Sequence, residues 1–251
     1  MSYRAVLFDL FDTLVWFDRE RLPEVHVNGK VMRSTAGRLH QALQPFAPGI
    51  ELAPFVDALT GSWQDAERIR RETNREVAAP ERLGLLIERL GLEAGRLAPE
   101  TVPTLLATHM RELSRAVVCP PHHGPLLDLL RRHYRLAVVS NFDYTPTALG
   151  ILEREGIAHL FETIVVSDEV GWRKPLPLIF EIALGRLGVR PDEAVYVGDR
   201  PDLDVAGAQG VGMHAVWINR DATPLPDGAR APEFEIRDLG ELVQILGIHG
   251  Q

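Results

Sequence analysis

The sequence contains one cysteine, two lysines and no long apolar segment. The single cysteine, Cys119, excludes a disulfide bond within the chain. No segment approaches the roughly 18 apolar residues that a membrane span requires. Asp9 and Asp12 interrupt the N-terminal apolar run, so the run does not have the pattern of a signal peptide. We therefore expect a cytoplasmic protein with no membrane partner, and the composition does not define an oligomeric state.

Positive charge is also scarce. The formal net charge is −8 and no basic block occurs, which argues against a nucleic-acid partner. Arginine supplies almost every positive charge, because Lys30 and Lys174 are the only lysines. A lysine is a compact point charge, unlike the planar guanidinium group. Lys174 is therefore a candidate functional residue, whereas Lys30 follows an Asn-Gly pair and is expected to lie on an exposed turn.

Short apolar runs alternate with helical patterns along most of the chain. The predicted strands are Ala5–Phe8, Leu136–Ser140, Thr163–Ser167, Ala194–Val197 and Ala215–Ile218. The predicted helices between or after them are Gly124–His133, Thr145–Glu155, Leu178–Leu187 and Leu203–Gln209. This alternation predicts an α/β fold with a mostly parallel sheet. Such sheets bind ligands beyond the carboxyl ends of their strands.

The segment between the first two predicted strands has a different pattern. Residues 25–32 are expected to form a hairpin around the Asn28-Gly29 turn. Helices are predicted at roughly 33–44, 51–76, 81–91 and 100–116, separated by proline and glycine. About a hundred residues is too long for a loop. We therefore predict a core formed by residues 1–16 and 118–251, with an inserted α-helical cap domain at 17–117.

Polar residues follow four of the predicted strands. Asp9 and Thr13 follow the first, Ser140 and Asn141 end the second, and Lys174 comes after the third. The fourth is followed by three carboxylates, Asp199, Asp202 and Asp204. Because parallel strands end at one edge of a sheet, we expect these side chains to converge there.

Four segments in this order carry a resemblance to a known family. FDLFDTL, VVSN, RKP and VYVGDRPDLDVAGAQGVGM resemble the four motifs of the haloacid dehalogenase superfamily, most of whose members are phosphatases. The resemblance spans nearly the whole chain. It implies a Rossmann-like parallel sheet core, and the helical insert after the first strand is similar to that of the branch with a helical cap.

The resemblance also implies a role for each motif residue. Asp9 would attack phosphorus and form an aspartyl-phosphate, with Lys174 and Thr13 as catalytic partners. Ser140, the Asn141 backbone and Phe11 would lie against a small phosphorylated metabolite as the substrate. The implied cofactor is Mg²⁺, whose hard oxygen ligands would come from Asp9, the Phe11 carbonyl, Asp199 and either Asp204 or Asp202.

Phe11 departs from the family pattern. Phosphatases of the family usually carry Asp two residues after the nucleophile, where it acts as the general acid and base. Losing such a group typically costs about 10²–10⁴-fold in rate. Asp12 comes one residue later, and whether it replaces the missing group stays open. We therefore expect a weak or specialised phosphatase that prefers good leaving groups.

Two other functions stay open at the level of sequence. An aromatic residue at position 11 is similar to the dehalogenase branch, in which Asp displaces halide from carbon and no metal is needed. A third possibility is a non-catalytic member that binds a ligand or a protein partner. Elsewhere, His122 and His123 are adjacent and are expected to point in different directions, so joint metal ligation is not predicted.

Overall fold

The computed structural model describes residues 3–248. The chain divides into two compact units. The core unit comprises the described parts of Met1–Trp16 and Val118–Gln251, and the inserted unit is Phe17–Val117. Among the described residues, no helix combines the length and the apolar character that crossing a membrane would demand.

Ten strands occur in the described chain. They are β1 (Ala5–Phe8), β2 (Trp16–Phe17), β3 (Glu24–Val27), β4 (Lys30–Arg33), β5 (Val117–Val118), β6 (Arg135–Ser140), β7 (Thr163–Val166), β8 (Ala194–Gly198), β9 (His214–Ile218) and β10 (Phe234–Ile236).

Ten α-helices accompany the strands in residues 3–248. They are α1 (Ala36–Leu43), α2 (Leu52–Thr73), α3 (Ala79–Arg89), α4 (Thr101–Arg115), α5 (His123–Leu130), α6 (Thr145–Arg154), α7 (Ser167–Val170), α8 (Pro177–Leu187), α9 (Ala206–Gly210) and α10 (Leu242–Ile245). Short 3₁₀ segments occur at Arg19–Arg21, Ala94–Arg96, Ala158–Leu160, Pro191–Glu193 and Leu239–Glu241, and Pro201–Val205 forms one π-helical turn.

The core unit is built on a six-stranded sheet with the order β10-β9-β8-β1-β6-β7. Every strand pair in it is parallel. Leu7 of β1 is in register with Ala137 of β6 on one side and Tyr196 of β8 on the other. Because β1 lies between β6 and β8, its carboxyl end adjoins the ends of both. The predicted α/β fold class is confirmed.

Burial of both sheet faces explains why the strands are apolar throughout. All four residues of β1 are fully buried, as expected for a parallel strand covered by helices. On one face, Leu7, Val139 and Tyr196 pack in a cluster with Phe180 of α8. Phe8, on the other face, meets Phe161 edge to face at 6.4 Å between ring centroids.

The structure corrects several of the predicted elements. The strands β2, β5 and β10 are absent from the predicted set. The predicted helix Leu203–Gln209 is instead a π-helical turn over Pro201–Val205 followed by α9. The predicted helix Gly124–His133 begins one residue earlier and ends at Leu130. The five predicted strands are present, with bounds that differ by at most one residue at either end.

After the 3₁₀ segment at Arg19–Arg21, the inserted unit forms a hairpin and then four α-helices. Strands β3 and β4 are antiparallel, and Asn28 and Gly29 between them have positive φ angles of 51° and 74°. A two-residue turn of this kind needs both residues in the left-handed region, which Asn and Gly tolerate. The four helices are α1 to α4, in which the predicted helices at 33–44, 51–76, 81–91 and 100–116 are present with shifted ends.

Candidate active site

Asp9 lies at the carboxyl end of β1 and is held by the main chain around it. Its backbone N–H donates to the carbonyl of Val197 at 2.9 Å, which continues the pairing with β8. Its Oδ1 accepts from the N–H of Leu10 at 2.7 Å. The side chain is almost buried, so the carboxylate has a fixed position at the sheet edge.

Lys174 provides the positive charge of the site. Its Nζ lies 2.8 Å from Asp9 Oδ1 and 2.7 Å from Asp204 Oδ1. It also donates to Tyr196 Oη at 2.9 Å, and that hydroxyl donates to the carbonyl of Val139 at 2.9 Å. Lys174 is 2 % exposed. Three acceptors thus surround a buried charge that would otherwise be costly to desolvate.

Asn141 positions the main chain that carries this lysine. The backbone N–H of Lys174 donates to Asn141 Oδ1 at 2.8 Å, and Asn141 Nδ2 donates to the Lys174 carbonyl at 3.1 Å. The side-chain amide of Asn141 is therefore engaged by protein. The prediction assigned the backbone of Asn141 to substrate binding, and these side-chain contacts are compatible with it.

The segment after β8 brings two more carboxylates to Asp9. Asp9, Asp199 and Asp204 each offer an oxygen atom within 4.8 Å of the others. Asp204 Oδ2 accepts from the N–H of Arg200 at 2.9 Å. Asp202 instead forms an exposed ion pair with the Arg200 side chain at 2.8 Å. Of the two alternatives, the structure therefore places Asp204 in the cluster.

Gly198 makes this close approach possible. A Cβ atom added at position 198 would overlap the carboxyl group of Asp204. The next residue, Asp199, is anchored through its carbonyl, which accepts from Trp217 Nε1 at 2.9 Å. A glycine at the end of β8 is therefore a steric requirement of the carboxylate cluster.

The charges of the cluster do not balance. Three carboxylates face one ammonium group. Burial raises the pKa of Asp9 to about 6, although Lys174 opposes the shift. Burial, followed by the charges of Asp9 and Asp204, raises the pKa of Asp199 to about 8. Burial disfavours the charged form of Lys174, but Asp204 and Asp9 raise the pKa of its ammonium group. Excess carboxylate oxygen in one place suits a hard divalent cation such as Mg²⁺.

Two hydroxyl groups lie buried beside these elements. Thr13, after β1, and Ser140, at the end of β6, are both fully buried. Within residues 3–248 neither hydroxyl oxygen has a hydrogen-bond partner. Buried polar groups are usually satisfied, so these two hydroxyls can serve a bound ligand. Hydroxyls that can donate fit the oxygens of an anion.

Phe11 and Asp12 occupy the turn that follows Asp9. The Phe11 ring packs against Phe142 with centroids 4.9 Å apart. Asp12 is exposed and has a positive φ of 56°, and its N–H donates to the carbonyl of Val15 at 2.6 Å. The charge of Asp12 contributes to the raised pKa of Asp199. The left-handed turn thus leaves this carboxylate within electrostatic range of the cluster.

A second group of potential ligands lies elsewhere in the core unit. His122, His123 and Asp238 each offer an atom within 4.8 Å of the others. The expectation that the two adjacent histidines diverge is wrong, because their rings meet edge to face at 4.6 Å between centroids. His122 lies just before α5 with φ and ψ of −83° and −12°, so the alternation of an extended chain does not apply there.

Some contacts of the site were not predicted from the sequence. Tyr196 lies within the apolar run of β8, where a hydroxyl in an otherwise apolar strand is the signal that could have indicated a buried polar partner. The side-chain amide of Asn141 and the indole of Trp217 act on main-chain atoms. Such contacts depend on which strands are neighbours, and a motif does not give that information.

The fold and the site together define an α/β enzyme whose carboxylates and lysine lie at the strand ends of a parallel sheet. The chain belongs to the haloacid dehalogenase-like hydrolases, because the sequence model of that family matches residues 3–212. It is 36% identical to the glyceraldehyde 3-phosphate phosphatase of Methanopyrus kandleri over 97% of both chains.

Two further proteins show the range of its relatives. The phosphoserine phosphatase of Thermus thermophilus is 34% identical over 75% of this chain and 76% of its own. The crystal structure of 2-haloacid dehalogenase from Pseudomonas syringae pv. Tomato has a TM-score of 0.75 and 26% identity, covering 98% of both chains. Relatives thus include both a phosphatase and a dehalogenase branch.

Proposed function

We propose that this protein is a Mg²⁺-dependent phosphatase that hydrolyses a small phosphorylated metabolite through an aspartyl-phosphate on Asp9. The observation that carries the proposal is the excess of carboxylates: Asp9, Asp199 and Asp204 lie together, and Lys174 contacts two of them directly. A halide-displacing site needs no divalent cation, and two further carboxylates would repel a haloacid substrate. The phosphatase names of the two sequence relatives support the same conclusion.

In the proposed reaction, an oxygen of Asp9 attacks phosphorus and the bond to the leaving alkoxide or phenoxide breaks. Lys174 fixes Asp9 and offsets negative charge. Thr13, Ser140 and the backbone N–H of Asn141 donate to the phosphoryl oxygens. Water then cleaves the acyl phosphate and releases inorganic phosphate.

The proposed metal ligands are Asp9, the Phe11 carbonyl, Asp199 and Asp204. When bound, Mg²⁺ supplies positive charge that lowers the repulsion between a carboxylate nucleophile and a phosphate ester. The carboxylate set fits this ion, because all its donors are oxygen atoms and the negative charge is in excess. We further propose that the inserted unit is the substrate-selecting cap of this family.

Phe11 limits the substrates in this proposal. It cannot protonate a leaving group, so esters that depart as stable anions, such as aryl or acyl phosphates, should react faster than sugar phosphates. Asp12 is the nearest alternative acid along the chain, and its left-handed backbone distinguishes it from an ordinary extended position.

Metal-independent dehalogenation is the second candidate. The contact between the Phe11 and Phe142 rings favours dehalogenation. The two rings offer apolar surface, and Phe11 lies two residues after Asp9 in the sequence. The similarity to the Pseudomonas syringae dehalogenase supports it as well. In that reaction, Asp9 would displace halide from carbon and form an ester that water hydrolyses.

A paired assay on metal-stripped protein separates these functions. p-Nitrophenyl phosphate is supplied with and without Mg²⁺, and halide release from 2-chloropropionate is followed without metal. We expect Mg²⁺-dependent phosphate release that Asp9→Asn abolishes and Asp227→Asn, at an exposed loop carboxylate, leaves intact. Metal-independent halide release would overturn the phosphatase proposal, and inactivity in both assays with unchanged ligand binding by Asp9→Asn would favour a non-catalytic protein.

A further inference from the structure

We propose that His122, His123 and Asp238 form a second metal site, specific for a transition-metal ion such as Zn²⁺ and separate from the carboxylate cluster. The three side chains come from the start of α5 and from the turn after β10. They bring one ligand atom each to within 4.8 Å of the others. Nothing in the proposed phosphatase chemistry uses them.

The strongest observation concerns His123. The residue is fully buried, and its Nδ1 lies 2.8 Å from the carbonyl of Leu14. A carbonyl oxygen only accepts, so Nδ1 carries a proton, and in the neutral imidazole Nε2 then holds the lone pair. In the described part of the chain, Nε2 has no hydrogen-bond partner. A neutral imidazole that donates to a backbone carbonyl from one nitrogen is oriented to bind a metal with the other.

His122 and Asp238 supply the other two ligands. His122 Nε2 lies 2.8 Å from Asp238 Oδ2, and both side chains are about half exposed, so an ion can reach them from solvent. Ligands at about 2.0–2.1 Å from a tetrahedral zinc ion lie roughly 3.3 Å apart. Separating this pair by about 0.5 Å would therefore admit the ion between them.

The Asp238 carboxylate is also held in place. Its Oδ1 accepts from the N–H of Gly240 at 2.8 Å, while Oδ2 faces His122. One oxygen is thus anchored to the main chain and the other is directed to the site. Supporting hydrogen bonds of this kind orient ligands and strengthen metal binding.

The ligand types decide which ion the site prefers. Two imidazoles and one carboxylate suit Zn²⁺, Ni²⁺ or Cu²⁺, whereas Mg²⁺ prefers oxygen ligands alone. The carboxylate cluster of Asp9, Asp199 and Asp204 has the opposite preference. With Mg²⁺ in excess, the two sites should therefore take different ions.

A bound ion would tie distant parts of the core unit together. His123 contacts Leu14, one residue beyond Thr13, and Asp238 follows β10 near the end of the chain. A ligand that binds only the folded state stabilises it. Zn²⁺ should accordingly raise the melting temperature of the protein by several degrees at concentrations well above its Kd.

The test is Zn²⁺ titration of the full, metal-stripped chain in millimolar Mg²⁺, followed by calorimetry and thermal unfolding. We expect one Zn²⁺ per chain. His122→Asn and Asp238→Asn should each weaken binding at least about tenfold and remove the thermal shift. His159→Asn, at an exposed histidine of the same unit, is the matched control and should bind like the wild type.

Two more measurements locate the ion and identify the atoms that bind it. Asp199→Asn should keep its Zn²⁺ affinity, since that residue belongs to the carboxylate cluster. Co²⁺ bound to the wild type should give the intense visible absorption of a low-coordinate site with nitrogen ligands. Equal binding by all variants, loss of binding in Asp199→Asn alone, or absence of that Co²⁺ spectrum would each overturn the proposal.

Discussion

Lys174 Nζ lies 2.7 Å from Asp204 Oδ1, so one buried ammonium group joins the loop after β8 to the end of β1. Sequence motifs place these two residues in separate roles, as the lysine that contacts the nucleophile and as a metal ligand. The structure makes them neighbours. Removing either one therefore changes the electrostatics of the whole cluster.

Lys174→Met should destabilise the protein and abolish phosphatase activity. Removing one partner of a buried ion pair leaves uncompensated charge and typically costs about 3–5 kcal/mol. Urea unfolding and p-nitrophenyl phosphate hydrolysis measure the two effects. Lys30→Met alters the other lysine, which is exposed on β4, and should change stability by less than about 0.5 kcal/mol. Equal effects of the two substitutions would contradict the structural role of Lys174.

Gly198→Ala should displace Asp204 and weaken Mg²⁺ binding. The new methyl group would overlap the Asp204 carboxyl group, and overpacking of this kind costs typically about 1–3 kcal/mol. Gly210→Ala, in α9, is the control, because a Cβ there meets nothing within 4 Å. We expect that control to be neutral or slightly stabilising. Isothermal titration with Mg²⁺ and urea unfolding test the pair, and wild-type metal affinity in Gly198→Ala would refute the steric argument.

Phe11→Asp should accelerate hydrolysis of substrates with poor leaving groups. A general acid contributes about 10²–10⁴-fold, and the gain should be larger for an alkyl phosphate than for p-nitrophenyl phosphate. The lost contact with Phe142 should cost about 0.5–1.5 kcal/mol of stability. Phe11→Asn has nearly the same size without an acidic proton and should give no gain. If both variants gain equally, proton transfer at position 11 is not the cause.

The core unit of the metal-free protein should lose stability as the pH rises from about 4 to about 8. The raised pKa values of Asp9, about 6, and Asp199, about 8, mean that the folded state holds protons that the unfolded state has released. For each carboxyl group, the free energy of unfolding should fall by at most about 1.4 kcal/mol per pH unit. Stabilisation by Mg²⁺ should increase over the same range, because the ion binds the deprotonated carboxylates.

Chemical unfolding at several pH values, with EDTA or Mg²⁺, measures this dependence. Asp199→Asn should flatten the curve of the metal-free protein between pH 6 and 8, since an amide does not titrate. A stability of the wild-type core unit that rises with pH across this window would contradict the pKa shifts of Asp9 and Asp199.

The inserted unit should show the opposite pH dependence through His109. Burial and the charge of Arg82 lower the pKa of His109 to about 3. Thr35 Oγ1 lies 2.9 Å from Nδ1, and Arg82 donates to Nε2 at 3.1 Å. The unfolded state therefore takes up a proton below pH 6.5 while the folded state does not, and stability falls as pH falls.

Between pH 7 and pH 5 this effect should reach on the order of 2 kcal/mol. Trp63 is the one tryptophan between residues 17 and 117, and Arg82 lies over its ring at 4.3 Å. Fluorescence of a variant that keeps only this tryptophan can follow unfolding of the inserted unit. His109→Gln should remove most of the difference between the two pH values, even though it lowers stability at pH 7.

The elements that hold the candidate site were predictable because burial leaves a strong signal. β1, β6 and β8 are enclosed on both faces, so their sequences are continuous apolar runs that end in polar residues. The strand β10 gave no such signal, since it has three residues and Phe234 and Glu235 are exposed. The π-helical turn at Pro201–Val205 was not predicted. The residue pattern indicates a helix, but it does not show whether each N–H bonds to the carbonyl four or five residues earlier.

Contacts that depend on topology could not be predicted. Tyr196 can contact Lys174 because β8 and β6 lie on either side of β1. The sequences of these strands do not show their order in the sheet. Asp238 meets His122 across 116 positions of chain. Adjacent histidines can converge when the first lies in a helix cap, because side-chain rotamers then matter more than sequence alternation.

Two hydrogen bonds with Asn141 fix the main chain of Lys174. The position of this lysine therefore depends on the end of β6 as well as on the loop that precedes it. Asn141, directly after β6, thus acts as a template for the main chain of residue 174. The Trp172 side chain, two residues before Lys174, is 40 % exposed and can therefore be replaced while the amino group keeps its place. For protein engineering, that side chain is the position at which to introduce a change near the lysine while the reactive groups stay in position.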